Sequence, residues 1–269
     1  MTTVWAYGLM YHDVVDRDSE PSGRSGAGPD RYTVTRQRFV EHLDRIEQKA
    51  GVPPAVADDL LAGRGSSPLW ALTFDDGGDT ALRVGEELQR RAWRGHFFIT
   101  SGVIGTPGFV DASAIRELDR MGHIVGSHSV THPERMASLP ESDLLREWSE
   151  SVAVLADLVG KDVHTASVPG GYYRKNVAVA AARAGITTLF TSEPVRSPHR
   201  VDGCLVVGRF SIRRDVSAEE AARAAAGEAA SWLPAYVGWN ARKLAKQLAG
   251  KRYESVRRKL LASSSQKSR

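Results

Sequence analysis

One cysteine, Cys204, stands among 269 residues. An internal disulfide framework is therefore excluded, and a reducing compartment suits the chain. No uninterrupted apolar stretch is long enough to cross a bilayer. The N-terminal run MTTVWAYGLMYHDVV lacks the basic start and apolar core of a secretory leader. These absences predict a soluble, cytoplasmic protein. No internal repeat is visible. Acidic residues are almost missing from one region: between Trp232 and Arg269 there are ten basic residues and one acid, Glu254. That stretch carries +9, which leaves −5 on the remainder of a chain whose total is +4. A mildly acidic body and a strongly basic tail predict separate roles, and the boundary is placed between residues 215 and 216.

What remains is an ordinary globular composition, 42% hydrophobic and 25% charged, enough for one large domain. Seven apolar, β-prone runs lie at 4–14, 68–74, 95–101, 123–128, 164–169, 187–192 and 204–212. Between them TVTRQRFVEHLDRIEQKAG, TALRVGEELQRRAWRG, DASAIRELDRMG, ESDLLREWSESVAVLADLVG and NVAVAAARAG show helical periodicity, most of them stopping at glycine. Alternating strands and helices predict a mainly parallel sheet with helices outside. Seven units predict a (β/α) barrel, with an open doubly wound sheet as the competing arrangement. Residues 16–31, rich in Gly, Pro and Ser, read as a surface loop or a lid over the barrel mouth.

Two stretches carry chemistry. TFDDGG, residues 73–78, sets Asp75 and Asp76 side by side at a strand end, where they repel unless a cation lies between them. GSHSVTHPE, residues 126–134, places His128 and His132 four apart at the end of another strand. On a helical turn that spacing would aim both imidazoles one way. In a parallel barrel both strand ends open on one face. Two histidines and a carboxylate form a common site for zinc or another divalent ion, with one position open to water. One aspartate would bind the ion and the other accept a proton from the attacking water.

TFDDG, then HSxxH, then the PxG of SVPGGYYR (167–174), resemble the polysaccharide deacetylase family, the NodB-homology carbohydrate esterases. MYHDV, residues 10–14, resembles a first-strand segment of many bacterial members. The resemblance runs from about Thr73 to Phe210 and implies a distorted (β/α)7 barrel and metal-dependent removal of an N-acetyl group from an amino sugar. It implies Asp75 as general base and Asp76, His128 and His132 as ligands of zinc, or of cobalt, nickel or manganese. Thr131 would hold the histidine loop. Pro169, Gly171, Tyr172 and Arg174 would line the substrate path, with a backbone N–H near Gly171 or Tyr172 on the oxyanion.

The pattern breaks at two places. Ser167 stands where the family's third motif begins with an arginine that contacts the base, and Arg174 is the neighbour that could replace it. Arg209 stands near the position of the family's last-strand histidine, the general acid, and a guanidinium cannot supply a proton. His12 is the candidate acid in its place; Asp75 acting as base and then acid is the alternative. Arg209 and Arg174 then suggest an anionic saccharide. Glu193 in FTSEPVR would orient a histidine. Two other readings stay open: deformylation of a lipid-linked aminosugar, and a catalytically weak glycan-binding relative.

SAEEAARAAAGEAASWL (217–233) predicts one Ser-capped helix. Beyond Pro234, Leu244, Leu248, Tyr253, Val256 and Leu260 alternate with basic residues behind Trp232, Tyr236 and Trp239. Such a tail suits the inner face of an anionic membrane better than nucleic acid, and packing on the barrel equally well.

Overall fold

The computed structural model describes residues 5–16, 23, 29–64 and 68–241. Most of the 16–31 loop and the tail beyond 241 lie outside the described residues. Seven parallel strands form the barrel: β1 (Ala6–Tyr11), β2 (Leu69–Phe74), β3 (His96–Ile99), β4 (Ile124–Ser127), β5 (Thr165–Ser167), β6 (Thr188–Phe190) and β7 (Cys204–Ser211). Pairing of β7 with β1, Gly8 opposite Arg209, closes the ring. Closure decides against the open sheet. Each of the seven apolar runs supplies one strand. An antiparallel strand, His199–Val201, adds to β7, and Val14–Val15 pairs with Val34–Thr35.

Period-two alternation sorts the strand residues between two buried environments. On β2, Leu69 and Ala71 join the core inside the barrel, while Trp70, Leu72 and Phe74 meet the helices. On β7, Leu205 and Val207 point inward and Val206 and Phe210 outward. Both faces are covered, so the strands read as continuous apolar runs.

The helices are α1 (Arg36–Ala50), α2 (Ala57–Ala62), α3 (Ala81–Gln89), α4 (Ala112–Arg120), α5 (Glu141–Val159), α6 (Lys175–Arg183) and α7 (Ala218–Ala225). Thr35 and Asp111 cap α1 and α4 by accepting from the third residue on. Helix α3 stops well short of Gly95, because Arg91, Ala92 and Trp93 turn the chain into β3.

The expected single helix 217–233 breaks in two. Gly227, at φ 72°, turns the chain against the Tyr7 hydroxyl, where a side chain has no room. A second helical stretch occupies residues 229–241 and contains Pro234. The boundary at 215/216 is also not a structural divide. Ala221, Ala222, Ala224, Ala225 and Trp232 belong to the main core, and Tyr7 donates to the Ala225 carbonyl at 2.9 Å.

Three histidines in the scaffold are held neutral. His42 accepts from the Tyr11 hydroxyl and donates to Val216 O, each at 3.1 Å. His96 accepts from Ala57 N at 3.0 Å and donates to Leu72 O at 3.1 Å. His123 accepts from Gly95 N at 3.2 Å and donates to Gly85 O at 3.0 Å. Each ring thus has one donor and one acceptor partner, and protonation would lose the acceptor. Burial pushes His42 and His96 down to about 4 from 6.5, and lowers His123 as well. A depressed histidine stabilises fully above its unfolded value and loses that contribution as pH falls toward the folded one. Two groups lowered by this much contribute roughly 3 kcal/mol each. Urea unfolding should therefore show stability falling steeply from pH 6.5 toward pH 4, less steeply in His42→Gln. A flat profile between pH 7 and pH 5 would contradict this assignment.

Candidate metal centre

The strand alternation continues past the strand ends and builds the site. Thr73 is inward, so Asp75 follows it into the barrel mouth. Gly126 is inward, so His128 follows. Ser167 and Arg209 are the inward residues at the ends of β5 and β7. Asp75, Asp76, His128 and Arg209 are all buried.

Asp76, His128 and His132 offer one donor atom each, all within 4.8 Å of one another. Asp76 Oδ1 lies 3.4 Å from His128 Nε2 and 3.2 Å from His132 Nε2. The His128 ring is oriented from behind: Nδ1 donates to the Ser167 carbonyl at 3.0 Å, which leaves Nε2 facing Asp76. This role falls to a backbone carbonyl. The backbone carbonyl of Glu193 accepts from the Arg209 amide at 2.9 Å.

The two histidines do not sit on a helical turn. Residues 128–132 are irregular, and convergence comes from left-handed backbone at Ser129 (φ 66°) and His132 (φ 56°). Asp76 shares that conformation at φ 75°. Non-glycine residues held there store strain that neighbours must hold in place. Ser129 Oγ accepts from His132 N at 3.0 Å. Glu147 on α5, 6% exposed, accepts from Val130 N and Thr131 N at 2.9 Å and from the Thr131 hydroxyl at 2.7 Å. Thr131 thus holds the loop through Glu147. The sequence reading missed Glu147; its signal was an acid on the apolar stripe of α5 beside Trp148.

Arg209 is the principal correction. It was placed among substrate contacts, yet it is 0% exposed and all five guanidinium N–H groups are used inside the protein. Nη1 donates to Asp75 Oδ1 at 2.7 Å and to Thr73 Oγ1 at 3.0 Å. Nη2 donates to Asp75 Oδ2 at 2.8 Å and to Ser167 Oγ at 2.7 Å. Nε donates to Thr191 O at 3.0 Å. The arginine missing at position 167 is thus supplied from β7. Ser167 is small enough to admit it and donates in turn to Asp75 at 3.1 Å. Gly8 opens the path, since a Cβ there would come within 2.9 Å of Arg209 Cγ. Arg174, the other candidate, is exposed at the start of α6.

The charges follow. Burial is the largest single influence on Asp75 and raises it, but Arg209 together with His128 and His12 outweighs it and the carboxyl is held below its ordinary value. Burial likewise opposes ionisation of Asp76, and hydrogen bonds from His128 and His132 hold it well below the carboxylate range. Both aspartates are therefore anions in one mouth, with one guanidinium committed to Asp75.

His12, just past β1, stacks on Tyr32 at 4.6 Å between centroids. Its buried Nδ1 has no hydrogen-bond partner among the described residues. Burial lowers its pKa while the charges of Asp76 and Asp75 work upward. His12 and Asp75 both line a cavity of 10 Å³, about the size of one water. Pro169 is buried in the turn Pro169–Gly171, and Tyr172 is half-buried with the Arg135 guanidinium 5.5 Å from its ring centre. Cys204 is a buried thiol pushed up to about 12, an unreactive core residue.

Residues 62–189 match the family described as Polysaccharide deacetylase. The peptidoglycan-N-acetylglucosamine deacetylase PgdA of Listeria monocytogenes is 34% identical over 111 residues, 40% of this chain and 22% of that protein. The chain thus spans a small part of the curated relatives it matches. A deacetylase from Streptococcus pyogenes, PplD, solved with acetate, superposes with a TM-score of 0.69 at 18% identity, covering 81% of this chain and 96% of that one. IcaB from Ammonifex degensii superposes at 0.67 with 24% identity, covering 82% and 97%. The barrel is of the NodB-homology (β/α)7 type.

Proposed function

We propose that this protein is a metal-dependent hydrolase that removes the N-acetyl group from an amino sugar within a saccharide. The observation that carries the reading is an ionised, arginine-clamped Asp75 beside a three-donor cluster at the mouth of a deacetylase-family barrel. The donor set suits a divalent cation: two imidazole nitrogens, one already oriented from behind, and one carboxylate, with zinc first and cobalt, nickel or manganese also compatible. Such a cation, when bound, polarises a water and the acyl oxygen.

The chain's own groups supply the rest. Asp75 takes the proton of the attacking water, and Arg209 fixes both carboxylate oxygens so that the acceptor does not rotate away. Backbone N–H groups of Gly171 and Tyr172 receive the developing oxyanion. His12, which shares the water-sized cavity with Asp75, passes a proton to the departing amine. Tyr172 and Arg174 face the sugar, and Pro169 shapes their loop. Acetate and a free amino sugar result.

The test uses the full chain on acetylated chitooligosaccharides, stripped with chelator and then resupplied with each cation. Acetate release should vanish on stripping and return with metal. A metal-loaded chain that binds the oligosaccharide and releases nothing would overturn the reading and leave a glycan-binding protein.

We also propose that the C-terminal segment rests on an anionic membrane, where a lipid-linked saccharide would be met. Leu233 (61% exposed), Tyr236 (47%) and Val237 (58%) share one side of the 229–241 helix at spacings of three and four. The basic run from Arg242 follows in sequence. Phosphatidylglycerol vesicles should sediment the chain and phosphatidylcholine vesicles should not, and Leu233→Glu with Val237→Glu should weaken binding at least tenfold. Preference for a DNA duplex over the anionic vesicles would refute the membrane assignment.

A further inference from the structure

The helix over 229–241 has a second face. Pro234, Ala235, Gly238 and Trp239 line a cleft of 350 Å³ whose opposite wall comes from Ser192, after β6, and from Phe210 and Arg213, at the end of β7. Glu220 and Arg223 of α7 complete it. The volume lies within the range of small-ligand sites. Every residue that lines it falls outside the 62–189 segment shared with the family.

The cleft adjoins the loop of the candidate centre. A Cβ placed on Gly171 would come within 3.3 Å of the Trp239 ring edge and 3.5 Å of Ser192 Cβ. Trp239 therefore stands between the oxyanion loop and the cleft.

Its chemistry is unbalanced toward donors. Trp239 Nε1 and Arg223 Nε are buried atoms without a hydrogen-bond partner among the described residues. The Glu219 carboxylate lies 3.8 Å from Arg223 Nε, too far for a hydrogen bond. The Arg213 side chain reaches Asp215 at 3.3 Å and is 37% exposed. Two guanidinium groups thus face the cleft against one lining carboxylate, Glu220. Buried donors left open call for an acceptor, and guanidinium groups pair best with phosphate or carboxylate oxygens. Phe210, Pro194, Pro234 and the indole supply an apolar wall on which a ring can lie.

We propose that this cleft is a second saccharide subsite that takes a sugar unit bearing an anionic substituent, a phosphate or a carboxylate, next to the unit that is deacetylated. Arg223 and the Trp239 indole N–H bind the anion, and the Trp239 ring packs on the sugar. The inference rests on the saccharide reading of the neighbouring site.

The test is binding, with the full chain stripped of metal so that no turnover occurs. The ¹⁵N indole signal of Trp239 is identified among six tryptophans by its loss in Trp239→Phe. N-acetylglucosamine 1-phosphate, glucuronic acid and uncharged N-acetylglucosamine are titrated in turn. At least one anionic probe should shift the Trp239 signal and bind at least tenfold more tightly than N-acetylglucosamine. Arg223→Gln should abolish that advantage and leave N-acetylglucosamine binding unchanged. The stronger anion names the substituent. Equal affinities for all three probes, or an anion advantage that survives Arg223→Gln without moving the Trp239 signal, would overturn the proposal. Acetate release is not part of the readout. An inactive chain that still shows the Arg223-dependent advantage refutes only the hydrolase, and an active chain without it refutes only the subsite.

Discussion

On the proposed mechanism, Asp75→Asn should lower acetate release by about a thousandfold, within the ~10²–10⁴ range of a lost general base, and leave metal content unchanged. An amide nitrogen cannot take the water's proton, and the carboxylate it replaces is the one Arg209 grips through both oxygens. Asp76→Asn is the contrasting variant. Its Oδ1 faces both imidazoles, so metal content and activity fall together. Acetate assay and elemental analysis on the same preparations separate the two. Retention of more than a tenth of the activity in Asp75→Asn would remove the aspartate from the role of base, whatever its metal content.

Arg209→Met destabilises the fold by about 3–5 kcal/mol, the usual cost of stripping one partner from a buried ion pair. The side chain is fully buried, and its loss leaves a carboxylate, two hydroxyls and a carbonyl without their donor. Arg209→Lys should recover little, because a single ammonium cannot reach acceptors spread around a planar fork. Adding Asp75→Asn to Arg209→Met should restore part of the stability, since the uncompensated charge is gone. Urea unfolding of the four chains closes the cycle. A cost below about 1 kcal/mol for Arg209→Met would mean that the pair does not hold the barrel mouth together.

Much of the architecture was readable. Each of the seven apolar runs became a barrel strand, since a sheet covered on both faces leaves continuous hydrophobic stretches that need no partner to be seen. Helices α1, α4, α5 and α6 were visible in their apolar stripes. The break at Gly227 was not. Ala-rich sequence on either side favours helix, and only the Tyr7 hydroxyl packed against that glycine explains the turn. The Asp76, His128 and His132 cluster was anticipated by residue type and strand position, though its convergence was attributed to a helical turn that does not exist. Strained loop backbone and Glu147 do that work, and Glu147 lies 17 and 16 residues downstream of Val130 and Thr131, whose amides it holds.

Arg209 shows the division most clearly. Leu205, Val207 and Arg209 alternate, so its inward direction was present in the local pattern. Its partner was not, because Asp75 is 134 residues away. Local propensity and hydrophobic period, properties of neighbouring residues, by themselves determined the strands, most of the helices and the ligand types. Ring closure between the first and last strands brought Arg209 beside Gly8 and onto Asp75, and set Trp239 against Gly171. Those pairings were decided by the tertiary structure alone, since they depend on which side chains share space once the barrel has closed.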